Sequence, residues 1–204
     1  MNDAQDRHLM LDLLPHFNND GISSDADRTD GDFTGHGNTY PEEDLPESDS
    51  VLECEGVVFR FPDKGNGLNN NISLEGQRIG VPENRYDSLF FLGASSGYSV
   101  EETIRLGYAD GRYEDAFLGL SSWRLCHNLK YGEQVAVKCS GYHFPSQHVY
   151  TERIDVDYGI WMQHIPIGND SHLTHIEFPD NPDLHIFAIT LRGLPGSNSE
   201  REAV

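Results

Sequence analysis

YDSLFFLGAS (86–95), SVEETIRLGYADG (99–111) and RYEDAFLGLSSW (112–123) carry the decisive pattern of this chain. The first run is almost continuously apolar, as expected of a central strand. The other two meet at Asp110-Gly111, and an Asp-Gly pair between alternating runs is a strong hairpin signal. Further β-rich runs follow at short intervals: EQVAVKCSGYHF (133–144), GIWMQHIPIG (159–168), LTHIEFP (173–179) and LHIFAITL (184–191). Upstream stand GVVFRFP (56–62), QRIGVP (77–82) and a plausible first strand, HLMLDLL (8–14). LMLDLLPHF could begin as a helix, but Pro15 cuts it after a turn or two. Nine or ten short strands separated by turn signals predict an all-β fold, a two-sheet β-sandwich of jelly-roll type. No internal repeat suggests a propeller or solenoid. We expect one domain over residues 1–193 and a polar tail over 194–204.

The chain has 204 residues and a net charge of −20, which argues against binding nucleic-acid phosphates or anionic membranes. No apolar run is long enough to span a bilayer. The charge is uneven. Residues 1–55 hold fifteen acidic against two basic side chains, a net of −13. Within them, residues 18–55 read as a long irregular acidic loop.

Such a loop is either solvated and capped by its own Asx side chains, or organised by a hard cation. Asn18, Asp20, Asp25, Asp27 and Asp30 are the candidate ligands for Ca²⁺. They do not form an EF-hand. Counting from Asp25, position 5 is Thr29, position 6 is Asp30 rather than Gly, and position 12 is His36 rather than Glu.

The three cysteines, Cys54, Cys126 and Cys139, lie in no metal-binding or redox spacing, and read as free thiols. With no signal peptide in the sequence as given, a cytoplasmic location is the expectation. His172 and His175 with His164 invite a metal reading, but positions three apart on a strand face opposite ways. Phosphate-loop and nucleophile-elbow motifs are absent.

The phrases FNNDGISSDAD, GDFTGHGNTYPEEDLP, VVFRFPD, GQRIGVPENRYDSLFFLGASSG, YADG, LSSW, HIPIG and LTHIEFPDNPDLHIFAITL fall within residues 16 to 191. Together they resemble β-sandwich modules found beside fucosidase-like and mannosidase-like catalytic domains of microbial glycoside hydrolases. Two phrases depart from that pattern. Its Asp-Trp is Ser122-Trp123 here, and its Phe-Asp-Gly is Phe33-Thr34-Gly35. The resemblance implies a galactose-binding-like jelly roll that takes a sugar and carries a structural Ca²⁺.

Aromatic faces stack on the C–H faces of sugars while polar neighbours take the hydroxyls. Trp123, Tyr142, His143, Tyr150 and Trp161 are therefore candidate ligand-binding residues. Trp161 lies opposite Ile160 and Met162, so one of those two faces would be open. His36 joins the candidates because Gly35 and Gly37 let backbone approach a ligand. The chemically crowded segment SGYHFPSQHVYTERIDVDYG (140–159) offers a second reading. There His143, Tyr142, Glu152 and Asp155 would serve a small cyclase, lyase or glycosidase as acid and base. A third reading is a partner-binding domain with no small ligand. The expected partner is thus a glycan or small molecule, and open sheet edges allow a homodimer.

Overall fold

The structure, a computed structural model, describes residues 7–125, 128–144, 149–152 (backbone alone) and 157–194. The described residues contain no α-helix. Strands run in order β1 (His8–Met10), β2 (Ile22–Ser23), β3 (Tyr40–Pro41), β4 (Val51–Cys54), β5 (Val57–Arg60) and β6 (Ile72–Glu75). They continue with β7 (Arg78–Asn84), β8 (Tyr86–Ser95), β9 (Val100–Tyr108), β10 (Tyr113–Leu120), β11 (Arg124–Leu125) and β12 (Gln134–Cys139). The last are β13 (Gly141–Phe144), β14 (Val149–Glu152), β15 (Asp157–Pro166), β16 (Leu173–Glu177) and β17 (Asp180–Gly193).

The larger sheet runs β1-β17-β8-β15-β11, with β6 also on β17 and β12 also on β15. The smaller runs β10-β9-β16-β7. Packed face to face they make the expected β-sandwich. The core between them gathers Leu89 and Phe91 from β8, Ile104 and Leu106 from β9, Leu118 and Leu120 from β10, and Ile186, Ile189 and Leu191 from β17. The hairpin at Asp110-Gly111 forms as read: Gly111 has φ +83°, and β9 and β10 pair antiparallel from Gly107↔Tyr113 to Val100↔Leu120.

The larger sheet is also covered on its other face. Phe90, Leu92 and Ala94 belong to a second core with Phe33, Tyr40, Leu45, Phe59, Phe61 and Trp123. Period-two alternation puts Leu89 and Phe91 into one core and Phe90 and Leu92 into the other, which is why the run is continuously apolar. The cover is supplied by the acidic segment together with β5, which follows it in the chain. Its charges face outward while Phe33, Tyr40 and Phe59 are at most 1 % exposed. Burying an aromatic side chain of this size contributes about 1.5–3 kcal/mol, so Phe33 and Tyr40 anchor the segment against the sheet and Phe59 anchors β5 beside it.

Two details differ from the sequence reading. The segment 18–55 is not wholly irregular: β2 pairs in parallel with β3, and β4 pairs with β5 across a turn at Glu55-Gly56, both with positive φ. EQVAVKCSGYHF is two strands rather than one, with β12 in the large sheet and β13 paired with β14. Pro15 stops the early helix as expected, leaving a single 3₁₀ turn over Leu14–His16. Of the predicted polar tail, only Leu194 is among the described residues.

Candidate functional site

Strand register collects several loops at one end of the sandwich. β8 ends at Ser95, β9 begins at Val100, β10 ends at Leu120 and β17 pairs Leu184 with Ser95. Between these ends lies a cleft of about 680 Å³. Trp123, Tyr142 and Tyr158 form its aromatic floor. Thr34, His36, Asn38, Ser96, Tyr98 and Asp183 contribute to its walls, and Arg124 and Lys130 bring two cations.

Each wall is pinned. Asp32 Oδ1 accepts from the Thr34 amide at 3.0 Å and the Gly37 amide at 2.7 Å. Thr34 Oγ1 accepts from Asn38 Nδ2 at 3.1 Å. The 96–99 turn is tied down by Ser95 Oγ donating to the Tyr98 carbonyl (2.7 Å) and the Ser96 amide donating to the Asp183 carbonyl (2.8 Å). The 121–133 loop closes around a buried carboxylate. Glu133 accepts from the Ser121 amide (2.5 Å), the Ser121 hydroxyl (3.0 Å) and the Tyr131 amide (3.0 Å). Ser121 Oγ in turn accepts from the Lys130 amide at 2.9 Å. Glu133 is thus a supporting residue the sequence did not reveal. A buried acid inside a polar loop has no periodic signature.

The floor is an aromatic cluster. Trp123 meets Tyr40, Phe33, Tyr142 and Tyr158 at centroid distances of 5.2, 5.4, 5.7 and 5.3 Å. Tyr142 and Tyr158 lie 5.1 Å apart. Trp123 is mostly core and offers the cleft an edge, whereas Tyr98 stands almost fully exposed on the rim.

Of the sugar-binding candidates, Trp123, Tyr142 and His36 therefore share one cleft. Trp161 does not. It is 1 % exposed, and its Nε1 donates to the Ser121 and Ser122 carbonyls, both at 3.1 Å. The expectation of an open face there fails because both faces of β15 are covered: Ile160, Trp161 and Met162 are all buried. The side chains of Tyr150 and Glu152, and the whole of Asp155, lie outside the described residues, as does Cys126. Cys54 and Cys139 are buried free thiols, and burial pushes both pKa values up.

His143 is the other correction. Adjacent residues on a strand point to opposite faces, and β13 sends Tyr142 to the cleft but His143 inward, where it is fully buried. Tyr142 and His143 thus cannot act as one acid–base pair. His143 Nδ1 lies 2.8 Å from Ser23 Oγ, which is 2.5 Å from Thr39 Oγ1. Its Nε2 lies 3.5 Å from Asp25 Oδ1. Burial lowers the His143 pKa, aided by the Arg28 guanidinium, while Asp25 and Glu43 pull it up.

The five proposed calcium ligands have separate employments. Asn18 brackets Ser73, accepting from its amide at 2.8 Å and donating to its carbonyl at 3.0 Å. Asp20 accepts from Asn70 Nδ2 at 2.6 Å, and burial raises its pKa. Asp27 caps Thr29, and Asp30 Oδ2 accepts from the Gly67 amide at 2.8 Å. Among the described residues only Asp25 of these five joins a cluster of His, Cys, Asp or Glu donors close enough to share an ion, and its companions are Glu43 and His143.

Two other hollows suit a ligand less well. One, of about 560 Å³ beside the Asp110-Gly111 turn, is lined mainly by polar groups, with Arg112 already bound to Asp110 at 2.7 Å. The other, of about 520 Å³, lies between Met10–Phe17 and Arg60–Asp63; it combines Phe17, Phe61 and Phe187 with Asp12, Asp49, Asp63 and Arg60, and holds none of the candidate ligand-binding residues.

Fold and cleft together define a β-sandwich with a ligand-sized site built from loops at one end. The chain belongs to the AziU2-like β-sandwich domain family, whose model matches residues 6–194. No curated protein matches it.

Proposed function

We propose that the protein is a carbohydrate-binding, lectin-like β-sandwich whose ligand sits in the cleft over Trp123, Tyr142 and Tyr158. The observation that carries the reading is the composition of that cleft. An aromatic floor faces a ring of amide, hydroxyl, imidazole and cationic groups in a space of about 680 Å³, the size of a small-molecule site. Tyr142 and Tyr98 supply flat apolar surface for a sugar ring. Asn38, His36, Arg124, Lys130 and Asp183 supply hydrogen-bond partners for its hydroxyls. The resemblance to modules that accompany fucosidase-like and mannosidase-like hydrolases supports a sugar as ligand.

A broad glycan panel tests the proposal. One class of sugar should bind saturably to the intact chain without being converted, and Tyr142→Ala should weaken it by about tenfold or more in a protein that still folds. Absence of binding across the panel at millimolar ligand overturns the reading. Conversion of a bound sugar would replace it with an enzyme built on the same cleft.

A further inference from the structure

We propose that Asp25, Glu43 and His143 form a binding site for a divalent transition-metal ion of the zinc class. The inference is independent of what the cleft binds. The three side chains come from two places in the acidic segment, Asp25 and the 3₁₀ turn Glu42–Asp44, and from β13. One ligating atom from each lies within 4.8 Å of the others. Around one tetrahedral ion at about 2.0–2.2 Å, ligating atoms sit about 3.3–3.6 Å apart, so the His143–Asp25 edge of 3.5 Å already fits and the other two edges need to close by at most about 1.5 Å.

The imidazole is already held as a metal ligand is held. His143 is completely buried, so its ring cannot swing away. Ser23 Oγ engages Nδ1 at 2.8 Å, and Thr39 Oγ1 engages Ser23 at 2.5 Å. That leaves Nε2 directed at the carboxylates, 3.5 Å from Asp25 Oδ1. A hydrogen bond on one ring nitrogen that aims the other at the ion is the common outer-shell arrangement of metal-bound histidine. Glu43 is positioned too, since its Oε1 accepts from the Asp25 amide at 2.8 Å. Both carboxylates reach solvent, so an ion can enter from that side and keep water in its remaining positions.

Charge supports a cation here. Two carboxylates converge on one imidazole, and Arg28 Nη2 already forms an ion pair with Asp25 Oδ1. We assign Arg28 the part of a placeholder that the metal displaces. The donor set discriminates between ions. One nitrogen and two carboxylates suit zinc, cobalt or nickel, whereas calcium asks for six to eight oxygens. Bound there, an ion would fasten the acidic segment to β13, where Tyr142, the residue before His143, lines the cleft.

The test uses the full chain stripped with chelator and titrated with Co²⁺ by visible absorption and with Zn²⁺ by calorimetry. We expect one equivalent of each, with cobalt d–d bands and no thiolate charge-transfer band. Glu43→Gln and His143→Ala should abolish tight binding, and Ser23→Ala should weaken it by about 10–100-fold. Arg28→Gln should tighten it. Glu43 is exposed, so its variant keeps the test decisive should His143→Ala fail to fold. No saturable uptake of Co²⁺ or Zn²⁺ overturns the proposal. So does uptake unchanged in Glu43→Gln, or Ca²⁺ competing as well as Zn²⁺.

Discussion

Acidification should destabilise the protein through His185, and the size of the effect follows from its surroundings. His185 is 3 % exposed on β17 and packs against Phe33, the two rings tilted by 39° at a centroid distance of 4.2 Å. Asn71 Oδ1 lies 2.8 Å from its Nδ1, while Asn71 Nδ2 donates to Asn70 Oδ1 at 2.9 Å. That second bond fixes the amide, so Asn71 presents its oxygen and Nδ1 carries the ring proton. Burial holds the His185 pKa down at about 3, against an ordinary value of 6.5. The unfolded chain therefore takes up a proton near pH 6.5 that the native state refuses until about pH 3. Stability from this group is complete above pH 6.5 and is lost as pH falls towards 3. From these two values the loss is about 2 kcal/mol at pH 5 and about 3 kcal/mol at pH 4. Urea unfolding of the wild type and His185→Gln across pH 8 to 4 measures it. The variant is less stable at pH 8 but loses less on acidification. His8, His143 and His164 also have lowered pKa values and add slopes of the same sign, which cancel in the difference. Equal pH slopes in the two proteins would refute the reasoning, because native His185 would then be titrating normally.

Further substitutions address the frame of the cleft. Gly93→Ala on β8 places a Cβ 2.5 Å from the His185 carbonyl oxygen and 2.9 Å from Leu120 Cδ1. Backbone cannot yield as a side-chain tip can, so thermal unfolding should show a loss of about 1–3 kcal/mol. Glu133→Gln puts an amide NH₂ among three donors. It should cost about 1–3 kcal/mol in denaturant unfolding and weaken any cleft ligand, because the 121–133 loop loses its anchor. Tyr40→Phe removes the buried hydroxyl that donates to the Gly159 carbonyl at 2.8 Å, and a loss of about 0.5–1.5 kcal/mol is expected.

Strand patterning was readable where the chain alternates against one core. Asp110-Gly111, Pro15 and the runs of β8, β15 and β17 all have local signatures that the structure honours. The cover over the second core was not readable. Phe33, Tyr40 and Leu45 are isolated apolar residues in a charged segment, and without periodicity nothing local says that they point inward together. The Glu55-Gly56 hairpin was hidden by the same charge density. At the site, Tyr142 and His143 looked like one cluster because they are adjacent in sequence. Strand alternation, applied to that pair, already separates them. Trp123 and His36 were found through residue type, whereas Asn38, Tyr98, Arg124, Lys130 and Asp183 needed the register that brings the loop ends together. The net charge of −20 is concentrated in the segment that covers the second core. Much of that segment's acid caps its own backbone, and its one shared donor cluster lies against β13.

The cleft reading rests on Trp123 sensing a ligand that Trp161 cannot. Tryptophan fluorescence of the intact chain, titrated with each sugar of the panel, separates the two. The account predicts a saturable change for one sugar class at millimolar concentration or below, retained in Trp161→Phe wherever that variant folds and lost in both Trp123→Phe and Tyr142→Ala. A response that persists in Trp123→Phe, or no saturable response to any sugar, would contradict it.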